Sequence, residues 1–139
     1  MSGDAAAAPT PHARLGGAEA VRALVDRFYD LMDLEAAYAD LRRVHGSDLG
    51  SARDKLTWFL TGWLGGPDLY IERFGHPRLR ARHLPFSISV VERDQWLACM
   101  NQAMEEQGVD EDLRVRLVQA LLQTADWLVN QQVPANRTS

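Results

Sequence analysis

Apolar residues recur at intervals of three and four along most of this chain. From Ala18 onward Val21, Leu24, Val25, Phe28, Leu31 and Met32 form one stripe, the spacing that gathers side chains on one face of a helix. After a break near Asp33 the residues Leu34, Ala37, Tyr38 and Leu41 continue the period, and Gly46-Ser47-Asp48 supply loop chemistry with His45 at the corner. A further amphipathic helix starts after Ser51 and carries Leu56, Phe59, Leu60, Trp63 and Leu64. Gly65-Gly66-Pro67 ends it, because glycine reaches left-handed conformations and proline cannot continue a helix. Trp96, Met100, Ala103, Met104 and Gln107 share a face of a later helix closed by Gly108, and Leu113, Leu117, Ala120, Leu121, Thr124 and Leu128 define the last one.

The stretches between these stripes are less regular. Asp68 to Phe74 predicts an irregular turn. Pro77 suits the first position of a short helix, and the residue before Pro85 is steered out of the helical region, so that helix spans about two turns. The only β-like run, Ile88-Ser89-Val90-Val91, is too short to build a sheet. The expected fold is all-α with a mixture of long and very short helices. Residues 1–17 are expected to be a disordered leader, 18–132 the folded domain and 133–139 a flexible tail. A chain of 139 residues can bury a core as one domain without disulfides or structural metal.

Composition narrows the function. With 46% hydrophobic and 24% charged residues the chain reads as a globular protein with no membrane span. A net charge of −4 and a pI near 5.5 disfavour a nucleic-acid partner, since phosphate would be repelled. Asp4 stands where a signal peptide needs positive charge, and the alanine run after it is too short for an apolar h-region, so the expected compartment is the cytoplasm. The single Cys99 excludes an internal disulfide and reads as a buried inert thiol. Phosphate-binding loops, nucleophile elbows, dinucleotide fingerprints and paired metal-binding histidines are absent from the sequence. The acids Glu105-Glu106 and Asp110-Glu111-Asp112 lie at a helix junction, where acidic residues favour a helix start and face water.

The chemistry concentrates between Gly75 and Phe86, where two histidines, three arginines and two prolines share twelve residues. His83 falls in the last turn of the short helix beside Arg80 and Arg82, placed to project a ring nitrogen into a cavity; a structural imidazole is the competing reading. His76 precedes Pro77 and suits a cap or a solvent contact, and His12 lies in the leader. One imidazole suffices as an axial ligand to haem iron, whereas zinc needs three or four protein ligands that this sequence does not supply. Tyr29 and Trp96 each carry one polar hydrogen on an apolar ring and lie on inward stripes, so they are either core residues or donors aimed at a ligand.

The segments Arg27-Phe28-Tyr29, Phe59-Leu60 followed by Gly65-Gly66-Pro67, the run from Gly75 to Phe86, and Glu92-Arg93-Asp94 with Gln95-Trp96-Leu97-Ala98-Cys99-Met100 occur in one order. Over residues Ala18 to Asn130 the chain resembles the bacterial truncated haemoglobins, and among them the second group, or group O. The resemblance implies a two-over-two helical sandwich around haem b, iron protoporphyrin IX. It implies His83 as the proximal iron ligand, with Arg82 and Lys55 facing the haem propionates, a charge pairing that is physically sound. It implies Tyr29 and Trp96 over the iron, His45 at the corner that is aromatic in many relatives, and Ala52 where larger globins carry a histidine, a small residue that widens the access route. Tyr29, His45 and Trp96 are then expected as three donors, and Leu56, Phe59, Leu60, Phe74 and Phe86 as apolar walls to the porphyrin.

On that basis the expected function is binding of dioxygen, nitric oxide, carbon monoxide or peroxide at histidine-ligated iron. Several donors favour slow release, which suits nitric oxide dioxygenation or a peroxidase-like reaction with an outside reductase better than bulk oxygen transport. The alternatives are a haem-based sensor or ligand store acting through a partner protein, and a plain helical module whose histidines are structural. A monomer or weak homodimer is expected.

Overall fold

The computed structural model describes residues 9–84, 86 and 88–130. Its helices are α1 (Pro11–Leu15), α2 (Ala18–Leu34), a 3₁₀ turn (Ala36–Tyr38), α3 (Ala39–Arg43), α4 (Gly50–Trp63), α5 (Leu69–Phe74), α6 (Leu79–His83), α7 (Val90–Glu106) and α8 (Glu111–Trp127). The long helices pack in pairs, α2 on α4 and α7 on α8, and the pairs meet where α2 and α3 cross α7. This is the expected two-over-two sandwich. Its centre is the predicted stripe of α2, where Val21, Val25, Phe28, Leu31 and Met32 are fully buried against Cys99, Met100 and Met104 of α7. Each such side chain contributes about 1.5–3 kcal/mol through removal of apolar surface from water. Cys99 also donates its thiol hydrogen to the Phe28 carbonyl at 3.2 Å, and burial pushes its pKa up to about 12, with Glu106 adding to the rise. The thiol is inert, as expected.

Local chemistry sets the ends of the helices. Ser89 caps α7: its Oγ accepts from the Val91 N–H at 3.1 Å, and the Glu92 carboxylate reaches back to the Ser89 N–H at 2.6 Å, a reciprocal satisfaction of free donors. The β-like run Ile88 to Val91 is therefore the entrance to a helix. Asp110 caps α8 by accepting from the Leu113 N–H at 3.1 Å. Gly65 at φ 99° and Gly108 at φ 75° follow α4 and α7, where only glycine adopts such angles cheaply.

Four expectations are corrected. Leu34 does not continue the apolar stripe; it is 72% exposed at the end of α2, because the chain turns into the 3₁₀ segment before its face can meet the core. Residues 68–74 contain the helix α5, too short to show periodicity, stabilised by burial of Tyr70 against Phe74 (4.8 Å between ring centres) and Phe59 (6.4 Å). Pro77 does not open α6: Arg78 adopts the left-handed region at φ 48° and ψ 52°, so the helix starts at Leu79 and has five residues. The proposed stop at Pro85 lies outside the described residues, as does the tail at 133–139. Finally, residues 11–15, expected within the leader, are helical. Thr10 caps them by accepting from the Ala13 N–H at 3.1 Å, and the His12 N–H donates to the Leu64 carbonyl at 2.9 Å.

That last contact gives Gly65-Gly66 a second purpose. A methyl group on Gly66 would lie 2.7–2.9 Å from three atoms of the His12 ring, and one on Gly65 would lie 3.0 Å from Thr10 Cβ. The glycines thus form a seat for α1. His12 is half-buried there, and its Nε2 has no partner among the described residues.

Among the described residues no helix is long and apolar enough to cross a membrane.

Candidate functional site

The short helix α6 carries the central group. The Nδ1 of His83 lies 2.6 Å from the Leu79 carbonyl, one turn earlier. A carbonyl can only accept, so Nδ1 carries the ring hydrogen. In the neutral ring Nε2 then holds a free lone pair on the side away from the helix. This is the tautomer that an axial metal ligand requires. Among the described residues no three His, Cys, Asp or Glu side chains cluster as a metal site.

Asn130, just past the end of α8, fixes the corner after α6. Its Nδ2 donates to the carbonyls of His83 (3.2 Å) and Phe86 (3.0 Å), its Oδ1 accepts from the Ile88 N–H (3.0 Å), and its own N–H donates to the Ile88 carbonyl (2.8 Å). Sequence reasoning passed over this residue. Its only signal is an amide directly after the final apolar stripe.

Across the fold, α2 and α7 bring together Tyr29 and Trp96, both packed on Phe28, with centroid distances of 4.9 Å and 5.2 Å. His45 stands edge-on to Tyr29 at 5.8 Å. Burial pushes the Tyr29 phenol far above its ordinary pKa, with the Arg53 charge opposing that rise. The phenol therefore stays protonated and able to donate. Whereas Tyr38 donates to Gln102 Oε1, neither the Tyr29 hydroxyl nor the Trp96 indole N–H has an acceptor among the described residues, and neither is among the atoms sealed in the interior. Two donors are thus free to serve a ligand.

His45 lies beside Tyr29 but is equipped differently from the donor expected. Its Nδ1 lies 3.0 Å from the Leu41 carbonyl, so the neutral ring presents Nε2 as an acceptor. Burial holds the His45 pKa below its ordinary 6.5; the Leu41 carbonyl opposes this, and the charges of Arg42 and His83 reinforce it. At neutral pH the pocket has two donors and an acceptor instead of three donors.

The remaining predicted residues form the surroundings. Ala52 is half-buried in the first turns of α4, and Leu56 and Phe59 are partly buried against the core. Leu60 is enclosed within the core and offers almost no open surface. Phe74 and Phe86 are 42% and 47% exposed, and Leu84 is 57% exposed, an amount of bare apolar surface that a flat hydrophobic ligand would cover. The Lys55 ammonium lies 6.0 Å from the centre of the Phe74 ring. Arg82 donates from Nε to the Pro77 carbonyl at 2.7 Å and lies 5.7 Å from the Tyr70 ring. Neither cation pairs with a described carboxylate, unlike Arg22, Arg53 and Arg93. A groove of about 480 Å³ runs beside α6, between Phe59, Trp63, Leu79 and Trp127. A lone axial nitrogen, bare aromatic walls and two unpaired cations fit an iron porphyrin with its two carboxylates.

Comparison with known proteins supports the same reading. The sequence model of the family described as "Bacterial-like globin" matches residues 10–130. The chain is similar to the group 2 truncated hemoglobin YjbI of Bacillus subtilis (strain 168), at 43% identity over 123 residues, covering 88% of this chain and 91% of that protein. Its structure is similar to the cold-adapted truncated hemoglobin of the Antarctic marine bacterium Pseudoalteromonas haloplanktis TAC125, with a TM-score of 0.85 and 41% identity over 88% of this chain and 99% of that one. It is similar as well to the group II 2-on-2 hemoglobin of the plant pathogen Agrobacterium tumefaciens, with a TM-score of 0.86 and 40% identity over 91% and 97%.

Proposed function

Because the chain belongs to the bacterial-like globins, as a group 2 truncated haemoglobin that binds haem and diatomic ligands, we propose that it retains dioxygen for redox chemistry on nitric oxide or peroxide. The observation that carries this reading is His83, a half-buried imidazole whose Nδ1–H is taken by Leu79, which leaves Nε2 free as a ligand nitrogen. The cofactor, when bound, supplies an iron centre that takes a diatomic molecule and exchanges electrons. The type that fits is haem b, since the chain lacks the Cys-x-x-Cys-His run of c-type attachment.

Each residue then has a task. His83 would hold the iron through Nε2, and Asn130 steadies the backbone that carries it. Arg82 and Lys55 neutralise the propionates. Phe59, Phe74 and Phe86 exclude water from the ring. Tyr29 and Trp96 would offer their hydroxyl and indole hydrogens to a bound diatomic ligand, where burial makes such hydrogen bonds stronger than in water. His45 stands edge-on to the Tyr29 ring and leaves its Nε2 as an acceptor in the same region. Ala52 keeps the approach open.

Two donors on one small ligand lengthen its stay, which suits a reaction better than delivery. Oxidation of nitric oxide by dioxygen consumes NO, O₂ and one electron to give nitrate, and peroxide reduction also consumes electrons. The chain has no flavin or nicotinamide motif, so a separate reductase in the cytoplasm is the expected partner. The test is nitrate formation from nitric oxide by the purified holoprotein supplied with electrons. The reading predicts turnover well above that of free haem and a loss in Tyr29→Phe. Turnover no faster than free haem would overturn the catalytic part and leave ligand binding intact.

A further inference from the structure

Beside the distal tyrosine lies a charged residue that neither the sequence motifs nor the proposed chemistry uses. Arg53 follows Ala52 on α4, and its side chain is 22% exposed. Its Nη1 donates to the carbonyl and to Oδ1 of Asp26, each at 3.1 Å, and its Nη2 donates to Asp30 Oδ1 at 2.7 Å. Asp26 and Asp30 flank Tyr29 on α2, and the guanidinium carbon lies 5.7 Å from the centre of the Tyr29 ring. A second bridge, from Arg22 to Asp26 at 3.3 Å and to Asp54 at 2.7 Å, ties the same turn of α2 to α4.

We propose that Arg53 is a positioning residue for Tyr29, clamping the turn of α2 that carries the phenol onto α4 and strengthening the phenol as a hydrogen-bond donor. The inference rests on the reading of Tyr29 as a distal donor. The clamp holds three acceptors with one planar group, which fixes the position of α2 along and around its axis. A lysine carries the same charge but lacks the fork, so it cannot hold Asp26 and Asp30 together. The charge acts in parallel with the clamp. A cation beside the ring draws electron density from the phenol and opposes the effect of burial on its acidity. The contacts of Arg53 are with Asp26, Asp30 and the Tyr29 ring, so its influence passes through Tyr29.

The test compares Arg53→Gln, Arg53→Lys, Tyr29→Phe and the double variant Arg53→Gln/Tyr29→Phe as holoproteins. Oxygen dissociation is followed by stopped flow, the infrared carbon monoxide stretch reports pocket polarity, and thermal unfolding reports folding. Arg53→Gln should release oxygen roughly threefold to tenfold faster, the effect of weakening one hydrogen bond and one cation–π contact. Its carbon monoxide band should move toward that of Tyr29→Phe, and Arg53→Lys should fall between wild type and Arg53→Gln. The glutamine change should have no further effect on release once Tyr29 is phenylalanine. Unchanged release in Arg53→Gln while Tyr29→Phe accelerates it would overturn the proposal. So would an Arg53→Gln effect that persists undiminished in the double variant, or wild-type behaviour of Arg53→Lys. If Tyr29→Phe itself leaves release unchanged, the distal-donor reading fails, and the proposal fails with it.

Discussion

Tyr29→Phe separates a ligand contact from a structural one. The Tyr29 hydroxyl has no acceptor among the described residues, so its removal breaks no bond within the fold. The ring that remains keeps its contacts with Phe28 at 4.9 Å and His45 at 5.8 Å. Losing a hydroxyl that is not sealed in the interior and bonds no described residue breaks no protein hydrogen bond, so stability should stay within about 0.5 kcal/mol of wild type. Tyr38→Phe is the matched control. Its hydroxyl donates to Gln102, and its loss should cost about 1 kcal/mol. The functional effects should run the other way. Without the phenol the bound ligand loses one hydrogen bond of about 1–2 kcal/mol, so oxygen should leave roughly fivefold to thirtyfold faster. Tyr38→Phe should leave that rate alone. Urea unfolding supplies the stabilities, and stopped-flow displacement of oxygen by carbon monoxide supplies the rates. A Tyr29→Phe protein that loses stability like Tyr38→Phe while releasing oxygen at the wild-type rate would refute the argument, because it would make Tyr29 a packing residue with an overlooked partner.

Other outcomes follow from the same geometry. Asn130→Ala removes the side-chain bonds to His83, Phe86 and Ile88, and should speed haem transfer to an apoglobin acceptor by roughly tenfold, since about 1–2 kcal/mol of corner stability is lost at a partly exposed site. Because the His45 pKa lies below its ordinary 6.5 in the fold, the unfolded chain takes up a proton first as pH falls. Stability should therefore decline below pH 6.5, and the decline in melting temperature should be shallower in His45→Gln. Gly66→Ala drives a methyl into the His12 ring and should cost about 1–3 kcal/mol of stability by overpacking, most of it recovered in the His12→Ala background; a neutral Gly66→Ala would mean that α1 does not dock on the glycines.

The parts legible in the sequence were those with enough length to show a period. The stripes of α2, α4 and α8 and the inward face of α7 appear in the order of residues because each must cover one face over several turns. Short α5 and α6 carry no such signal: α5 is held by burial of Tyr70, and the start of α6 depends on the left-handed turn at Arg78. The resemblance singled out His83, Tyr29 and Trp96, but the useful chemistry of the histidines depends on backbone carbonyls one turn earlier. Leu79 and Leu41 decide that His83 offers a ligand nitrogen and that His45 offers an acceptor. Arg53 and Asn130 were invisible for a related reason, as their partners lie 23 or more residues away. Gly65-Gly66 was half legible: a helix stop is a local property, whereas a seat for α1 is not.

The central claim is that His83 alone, through Nε2, holds the iron. It is tested most directly by the absorption spectrum of ferrous His83→Gly, with and without added imidazole, beside that of wild type. Wild type should show a Soret band typical of histidine-ligated haem. The variant should lose or shift that band, and imidazole should restore it by occupying the space vacated by the side chain. A wild-type Soret band in His83→Gly without imidazole would contradict the account, because the iron would then be held by another residue.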